Sequence, residues 1–513
     1  MSRGLLGGGQ PKGLCVGAKR DGAAMKPLLA LLTAVTIAWG LPARAGPSVV
    51  TYHGEAQRSG HFVVAGLTWD RARSLHLDPA FHAELSGRLY AQPLYWQPAD
   101  LRAALLIAVT QNNIVYALDA HTGHILWQRQ LGTPVPLSSL PCGNILPPFG
   151  ITGTPVIDPD SETLFVDAAV TQPSGLRHLI FALALKDGTI LPNWPVDVAG
   201  ELAGKDPPFV ASLENQRGAL LVAGGTLYVP YGSFFDCRPY HGTVVGIPLS
   251  DPHKVMRWAT RAMGGGVWAP GGIASDGTSL FLTTGNTFDA TDWADGEAVI
   301  RLSFDLRGPP DQGDFFTPTD WRDLDAQDSD LGGIAPLLID VPDGNGQRPL
   351  VLALGKDGKA YLLDRAKLGG VGGELAVAQV SARGIFAAAA VYPAGDSVNV
   401  AFPGTGTSCS KGDSGLVVLA VRGGEPPTLA TAWCASVEGW GAPIATTTDG
   451  RSNPIVWALG AEGDNRLHGF RGDTGEVLFT GPSLNGLRHF QTLIATQDHL
   501  YVGADGTIYA FAF

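Results

Sequence analysis

The sequence predicts an all-β protein: an eight-bladed β-propeller whose four-stranded antiparallel blades close into a ring through N- and C-terminal strands. The chain has 513 residues, of which 68 are Gly and 37 are Pro, whereas only 16% are charged. This composition is too apolar for a disordered chain and too rich in glycine for a helical bundle. A large all-β fold can also exceed the usual domain length as a single unit.

A short phrase recurs along the chain and marks the blades. Its clearest copy, NIVYALDAHTGHILWQRQLG from Asn113, reads as a strand, a polar turn and a second strand. The weaker copies are HLIFALALKDGTIL from His178, GTVVGIPLSDPHKVMRW from Gly242, EAVIRLSFDL from Glu297, GKAYLLDRAKLGG from Gly358, GLVVLAVRGG from Gly415, NRLHGFRGDTGEVLF from Asn465 and the terminal GTIYAFAF. Eight units of about 58 residues favour a propeller over a two-sheet sandwich.

The last copy ends after one strand at Phe513, so another segment must complete the final blade. The N-terminal stretch FHAELSGRLYAQPLYW, from Phe81, is the candidate for this closing role. Closure of the ring removes the exposed sheet edges that an open fold would leave.

The segment from Val267 to Asn286 reads as a β-hairpin around a turn at Ser275-Asp276-Gly277. The sequence numbers of paired residues in an antiparallel hairpin add up to a constant that the turn determines. The numbers of Trp268 and Asn286 average to 277, which is the turn residue Gly277. We therefore expect the indole and the amide of these two residues to meet at the open end of one blade.

The first 45 residues predict an upstream extension and a secretory signal peptide. Met25-Lys26 is followed by the apolar run PLLALLTAVTIAWGL and by Ala43-Arg44-Ala45, an A-x-A cleavage site. We interpret Met25 as the start; an unusually long n-region is the alternative for residues 1–24, and a retained anchor is the alternative for the signal. Residues 46–513 form the predicted single propeller domain, with no membrane span after signal cleavage.

Charge and cysteine content agree with a periplasmic or secreted protein. Without residues 1–45 the chain has 29 basic and 46 acidic residues, a net charge of −17. This balance argues against nucleic acid and anionic membranes as partners. Four cysteines remain, and among the three possible pairings we favour Cys142–Cys237 and Cys409–Cys434. The sequence has no Cys-x-x-Cys-His haem motif.

The phrase VYALDAHTGHILW resembles the repeat of the pyrroloquinoline-quinone (PQQ) dehydrogenase propellers, an eight-bladed superfamily that includes alcohol dehydrogenases and catalytically inert scaffold proteins. The resemblance covers nearly all of residues 46–513. It is stronger for the fold than for the chemistry, because the repeats themselves are structural.

The resemblance implies a quinone floor and a calcium site. In this family a tryptophan stacks on the quinone and precedes, by one hairpin, a Gly-Asn that binds calcium; Trp268 and Gly285-Asn286 match this order. A planar quinone needs a flat apolar floor, and a hard cation needs oxygen ligands. The family's Glu calcium ligand corresponds here to Asp236, which is shorter. The alternatives are blade packing for Trp268 and a turn role for Asn286.

The resemblance also implies a catalytic base and a quinone-binding cation. Asp330, in Asp330-Leu331-Gly332-Gly333, best matches the acid that takes the alcohol proton, and Asp328 is its close rival. Lys356 matches a Lys or Arg that donates to the quinone oxygens. The alternatives are a solvated acidic loop and an ordinary turn lysine.

Some family features are missing from this chain. The adjacent Cys-Cys pair that covers the quinone is replaced by the single Cys142, and the arginine expected nearby is not evident. The sequence contains no phosphate-binding glycine motif after a strand, no His-Glu-x-x-His motif and no nucleophile elbow, so no motif favours another class of enzyme.

The sequence therefore predicts a quinoprotein that oxidises an alcohol or polyol with PQQ and calcium and passes electrons to an external acceptor such as a separate cytochrome c. The alternatives are a non-catalytic propeller acting as a scaffold or binding module, and a hydrolase or lyase using the same funnel.

Overall fold

The computed structural model describes residues 48–98, 103–143, 145–307, 311–344, 346–410 and 414–513. The strands of these residues form eight separate sheets, each built on four antiparallel strands. The predicted eight-bladed propeller is therefore confirmed. The predicted signal peptide and the start at Met25 fall outside the described residues and stay predictions.

The first four blades run in chain order. Blade 1 contains Leu94–Trp96, Leu105–Val109, Ile114–Asp119 and Ile125–Gln130. Blade 2 contains Val156–Asp158, Thr163–Gln172, Gly175–Ala184 and Val196–Asp197. Blade 3 contains Glu214–Asn215, Leu221–Ala223, Thr226–Ser233, Thr243–Pro248 and Met256–Ala259. Blade 4 contains Ala274–Ser275, Leu280–Thr284, Ala298–Leu302 and Phe315–Thr317, with Gly370–Val371 added in parallel.

The last four blades complete the ring. Blade 5 contains Leu337–Pro342, Gln347–Leu354, Lys359–Asp364 and Ala376–Gln379. Blade 6 contains Ala390–Ala394, Ser397–Gly404, Gly415–Arg422 and Thr428–Ser436. Blade 7 contains Ile444–Thr447, Ile455–Leu459, Arg466–Arg471 and Val477–Ser483, with His61–Val63 added in parallel. Blade 8 contains Leu493–Ala495, His499–Ala504, Thr507–Ala512 and His76–Leu77.

Helices are short and connect the strands. The α-helices are Trp69–Ala72, Val198–Glu201 and Trp321–Gln327, and the 3₁₀ turns are Tyr52–Gly54, Leu137–Ser139 and Leu331–Gly333. Within the described residues, none of the helices has the length and apolar character needed to span a membrane.

Each copy of the recurring phrase forms the third strand of one blade. In blade 1, Ile114–Asp119 is buried along its middle, whereas the fourth strand Ile125–Gln130 is mostly exposed or half-buried. The third strand is continuously apolar because neighbouring blades cover both of its faces. The fourth strand alternates because one of its faces meets water.

The ring closes through a segment slightly earlier than the one predicted. His76 pairs with Ala512 and Leu77 with Phe511, and these two residues supply the fourth strand of blade 8. The predicted stretch from Phe81 instead contributes an isolated bridge from Glu84 to Thr507 and then enters blade 1. The principle of closure is confirmed, and the chosen segment is wrong because a two-residue strand has no periodic pattern.

The hairpin of blade 4 also differs from its predicted register. Ala274 pairs with Phe281 and Ser275 with Leu280. The sequence numbers of paired residues therefore add up to one more than predicted, so the register is shifted by one residue. The first arm is then interrupted, because Gly272 has φ +66° and donates its N–H to the carbonyl of Ala269 in a tight turn. Trp268 therefore lies on a loop beside the blade rather than on a strand.

Both predicted disulfides are present. Cys142 bonds to Cys237 with a Cα–Cα distance of 6.2 Å, and Cys409 bonds to Cys434 with a Cα–Cα distance of 5.8 Å. The first links the connection between blades 1 and 2 to a loop of blade 3, and the second lies within blade 6.

Candidate functional site

Four of the five site residues predicted from sequence line one cavity of about 100 Å³. They come from different blades, so the fold and not the local sequence brings them together. The wall consists of Arg217, Ser233, Phe234, Phe235, Asp236, Tyr240, Trp268, Asp328, Asp330 and Lys356.

The Asp330 carboxylate is the centre of the site. Its Oδ2 accepts a hydrogen bond from Trp268 Nε1 at 3.0 Å and lies 3.0 Å from Lys356 Nζ. Its Oδ1 accepts the backbone N–H of Asn286 at 3.3 Å. The Asp330 carbonyl also accepts the Lys356 N–H at 2.9 Å. Of the five predicted site residues, Trp268, Lys356 and Asn286 therefore contact Asp330 directly.

Lys356 joins the two rival acids. Its Nζ lies 2.9 Å from Asp328 Oδ1 as well as 3.0 Å from Asp330 Oδ2. The two acids differ in burial, because the Asp328 side chain is 68% exposed and that of Asp330 is 4% exposed. Lys356 Nζ also lies 5.3 Å from the ring centroid of Trp268, within cation–π range. The ammonium thus neutralises Asp330 and contacts the indole.

Two glycines allow the backbone to approach this closely. A Cβ on Gly332 would lie 2.5 Å from the backbone nitrogen of Gly285. A Cβ on Gly285 would lie 3.0 Å from Trp268 Nε1 and 3.3 Å from Asp330 Oδ2. The Gly-Asn and Asp-Leu-Gly-Gly motifs therefore need their glycines to place Asp330 against the indole.

Burial and charge set the protonation of the site. Burial raises the pKa of Asp330 above its usual range, and the Lys356 ammonium offsets part of this rise. Burial alone would lower the pKa of Lys356, but the carboxylate of Asp330 and the hydrogen bond to Asp328 outweigh it and raise that pKa. A carboxylate with a raised pKa is a stronger base once ionised, as proton abstraction requires.

Glu297 is a buried acid behind Asp330 that sequence reasoning missed. Its Oε2 accepts the Leu331 N–H at 2.7 Å, and its Oε1 has no hydrogen-bond partner among the described residues. Burial, followed by the charge of Asp330, raises the pKa of Glu297 well above its usual range. Two neighbouring buried carboxyl groups do not both ionise readily, so this pair favours a neutral Glu297 beside an ionised Asp330.

Arg217 is a second residue of the cavity that sequence reasoning missed. Its guanidinium carbon lies 5.7 Å from the ring centroids of both Trp268 and Phe490. Burial lowers the pKa of Arg217 to about 10, which leaves it cationic at neutral pH. It also lines a smaller neighbouring cavity with Tyr90 and Thr152. Arg217 stands four residues before the strand Leu221–Ala223 of blade 3, as Thr152 stands four residues before the strand Val156–Asp158 of blade 2. This repeated position was the available signal.

The side chains that line the cavity suit a quinone better than they suit a calcium ion. The half-buried indole of Trp268 and the cations of Lys356 and Arg217 fit a flat, electron-accepting ring that becomes more anionic on reduction. For calcium, Asp236 lies on the wall, where its Oδ1 accepts the Tyr240 hydroxyl at 2.8 Å. Asn286 contacts Asp330 through its backbone N–H, and its side chain is not part of the described wall.

No three acidic or histidine ligand atoms gather at this cavity within the described part of the chain. The roles of Asn286 and Asp236 as calcium ligands stay predictions.

Neither a protein-family model nor a curated protein matches this sequence. Solved structures do match over 91% of the chain. Quinohemoprotein alcohol dehydrogenases from Comamonas testosteroni (14% identity) and Pseudomonas putida HK5 (13% identity) are each covered over 80% of their length, both with a TM-score of 0.64. A europium-containing methanol dehydrogenase is 14% identical and covered over 98% of its length, with a TM-score of 0.61.

These identities establish the fold alone. The chain has the eight-bladed fold of the PQQ dehydrogenase-like propellers, and the resemblance seen in the recurring phrase is confirmed at that level.

Proposed function

We propose that this protein is an exported quinoprotein oxidoreductase that binds PQQ in the Trp268 cavity and oxidises an alcohol or polyol. One observation carries the proposal: the Asp330 carboxylate binds both the Trp268 indole N–H and the Lys356 ammonium on the wall of one cavity. A base, a cation and an aromatic face in direct contact are the groups that such a reaction needs.

Each residue then has a distinct role. PQQ, when bound, supplies the two-electron acceptor. Asp330 takes the hydroxyl proton of the substrate as the carbon-bound hydrogen leaves with its electron pair. The Trp268 N–H and the Lys356 ammonium hold the Asp330 carboxylate in one orientation and favour its ionised form. Arg217 and Lys356 supply positive charge at the indole, where negative charge accumulates during reduction.

Calcium is the metal that we propose for this site, with Asn286 and Asp236 as oxygen ligands. The Asn286 amide would have to turn toward the cavity, and Asp236 would have to exchange its bond from Tyr240 for the ion. We assign no chemical step to the metal. A comparison of PQQ binding with calcium and with a chelator tests this part of the proposal separately.

The cysteines of the chain bear on two further parts of the proposal, the electron acceptor and the cellular compartment. The sequence contains no Cys-x-x-Cys-His haem motif, so electrons would pass to a separate acceptor such as a cytochrome c. The two disulfides are typical of a periplasmic or secreted protein.

The deciding experiment adds PQQ and calcium to the purified protein. Calorimetry and quinone absorbance measure binding, and dye reduction with a panel of alcohols measures turnover. We expect one PQQ per chain and alcohol-dependent dye reduction. An absence of PQQ binding would contradict the proposal and favour the non-catalytic alternative, a scaffold or binding module.

A matched pair of lysine variants separates the cavity from general charge effects. Lys356→Met removes one of the two cations of the cavity, whereas Lys359→Met removes a lysine that is paired in the same way with Asp320 and Asp357 at 3.0 and 3.3 Å. We expect PQQ affinity to fall at least tenfold in the first variant only. Equal affinity in the two variants would remove Lys356 from the quinone site.

A further inference from the structure

A second cluster of ligating side chains lies away from the cavity, at the seam where blade 8 meets blade 1. His121 belongs to the turn between the third and fourth strands of blade 1, and Asp498 and His499 belong to the first hairpin of blade 8. One ligand atom from each of these three residues lies within 4.8 Å of the others, and within the described part of the chain no other such group of His, Cys, Asp or Glu occurs.

Both histidine rings lie close to the Asp498 carboxylate. Asp498 Oδ1 lies 3.3 Å from His499 Nδ1, and Asp498 Oδ2 lies 3.6 Å from His121 Nδ1. The His499 side chain is only 9% exposed, and its Nδ1 lies beside the Asp498 carboxylate without a well-directed hydrogen bond to any described residue. A buried ring nitrogen this close to a carboxylate oxygen is stabilised by a proton or a metal ion between them.

Asp78 fixes the orientation of His499. Its Oδ2 lies 3.0 Å from His499 Nε2, which donates in the tautomer that leaves the Nδ1 lone pair free. A carboxylate behind a ligating histidine is the usual outer partner in metal sites, because it sets the tautomer and strengthens the ligand.

The backbone around the cluster is also held in place. The Tyr501 hydroxyl of blade 8 donates to the carbonyl of Ala120 at 2.7 Å, next to His121 in blade 1. The His121 N–H donates to Asp119 Oδ1 at 3.0 Å, which forms the turn. In the other hairpin, the Thr496 hydroxyl donates to Asp498 Oδ1 at 3.0 Å.

We propose that His121, Asp498 and His499 form a divalent transition-metal site, with Zn²⁺ as the metal and water as the fourth ligand. Two imidazoles and one carboxylate are donors that zinc accepts, with metal–ligand distances of about 2.0–2.2 Å in a tetrahedron. Such a tetrahedron has edges of about 3.5 Å. The separations of 3.3 Å from His499 Nδ1 to one Asp498 oxygen and 3.6 Å from His121 Nδ1 to the other are of the same size. The ion would link blade 8 to blade 1 across the closing seam.

The test uses tag-free protein that has been treated with a chelator and dialysed. Zn²⁺ is titrated by calorimetry, and Co²⁺ is added separately because a tetrahedral Co²⁺ site absorbs intensely in the visible range. We expect one Zn²⁺ per chain, a tetrahedral Co²⁺ spectrum and a melting temperature that rises with Zn²⁺. The assay contains no PQQ, so its outcome is independent of the proposed oxidoreductase function.

The matched variants are His121→Ala and His124→Ala, which remove two histidines of the same exposed turn. We expect His121→Ala to weaken Zn²⁺ binding at least tenfold and His124→Ala to leave it unchanged. Asp78→Asn should weaken binding about tenfold or more through loss of the outer carboxylate. Equal binding by the two alanine variants, or no binding by the wild type, would overturn the site and leave His499 as an imidazolium between Asp78 and Asp498.

Discussion

At the scale of single residues, the feature that governs the candidate site is the difference in burial between two acids that share one lysine. Asp330 is enclosed and bonded by Trp268, whereas Asp328 is largely exposed. Sequence alone left both as candidates for the base. Burial decides between them, because it raises the pKa of Asp330, and the bonds from Trp268 and Lys356 fix the orientation of that carboxylate.

This difference predicts unequal effects of two conservative substitutions. Asp330→Asn keeps an oxygen for the Trp268 N–H but removes the base, so we expect kcat to fall about a hundred- to ten-thousand-fold. Asp328→Asn also removes a carboxylate from Lys356, and we expect less than a tenfold change. Steady-state dye reduction measures both. A larger loss in Asp328→Asn would exchange the two assignments.

His53 predicts a loss of stability in acid. Burial lowers its pKa to about 3, below its ordinary value, so the folded protein binds this proton only at lower pH than the unfolded chain does. Its stabilising effect is complete above about pH 6.5 and is lost as the pH falls toward 3, at about 1.4 kcal/mol per pH unit. Thermal melts between pH 7 and 4.5 measure this slope.

His53→Asn tolerates the left-handed backbone at this position, φ 56°, and removes the titrating ring. We expect a shallower acid slope than in the wild type, whereas His82→Asn, at an exposed histidine, should retain the wild-type slope. An unchanged slope in His53→Asn would mean that His53 does not cause the acid sensitivity.

At the scale of elements, the site depends on the close approach of two loops, one ending the blade 4 hairpin and the other opening blade 5. Gly332→Ala would place a methyl group 2.5 Å from the Gly285 nitrogen. We expect about 1–3 kcal/mol of destabilisation, together with weaker PQQ binding, because Asp330 must move away from Trp268. Gly346→Ala is the control, since its Cβ would meet no atom within 4 Å. Equal melting temperatures would show that the loops can separate freely.

These elements also show how far sequence could predict the structure. The third strands were identifiable because burial on both faces leaves a continuous apolar run, as in Ile114–Asp119. The register of the blade 4 hairpin could not be predicted from the sequence, because the turn at Ala269–Gly272 interrupts an otherwise regular arm. Periodicity describes regular strands, and it says nothing about where an arm leaves the sheet.

The site shows the same division. Trp268, Asp330 and Lys356 could be proposed from the sequence because each stands in a motif that matches a known pattern, and the structure places all three on one cavity. Arg217 and Glu297 could not, because their importance comes from partners in other parts of the chain: Phe490 for Arg217 and Leu331 for Glu297. Contacts of this kind exist only once the blades are arranged around the axis.

At the scale of the whole molecule, two disulfides hold segments that the blades alone would leave less constrained. Cys142–Cys237 closes a separation of 95 residues and Cys409–Cys434 one of 25. Chain-entropy estimates give about 4.7 and about 3.5 kcal/mol respectively. We therefore expect the Cys142→Ser/Cys237→Ser double variant to melt at a lower temperature than the Cys409→Ser/Cys434→Ser variant.

Calorimetric melts without reductant compare the two variants, and wild-type protein in reductant is the reference for loss of both bonds. The reverse order of melting temperatures would show that local packing, and not loop length, determines what each bond contributes.

The two-residue strand that closes blade 8 has a consequence for how the molecule is made. His76 pairs with Ala512 and Leu77 with Phe511, so blade 8 joins strands more than 430 residues apart in the sequence. Contacts so distant in sequence form slowly, and they cannot form at all until Phe511 and Ala512 have been synthesised. During that interval the growing protein carries an unpaired strand edge at each end of the future seam. Premature termination within blade 8 would therefore produce an aggregation-prone open ring rather than a shorter propeller.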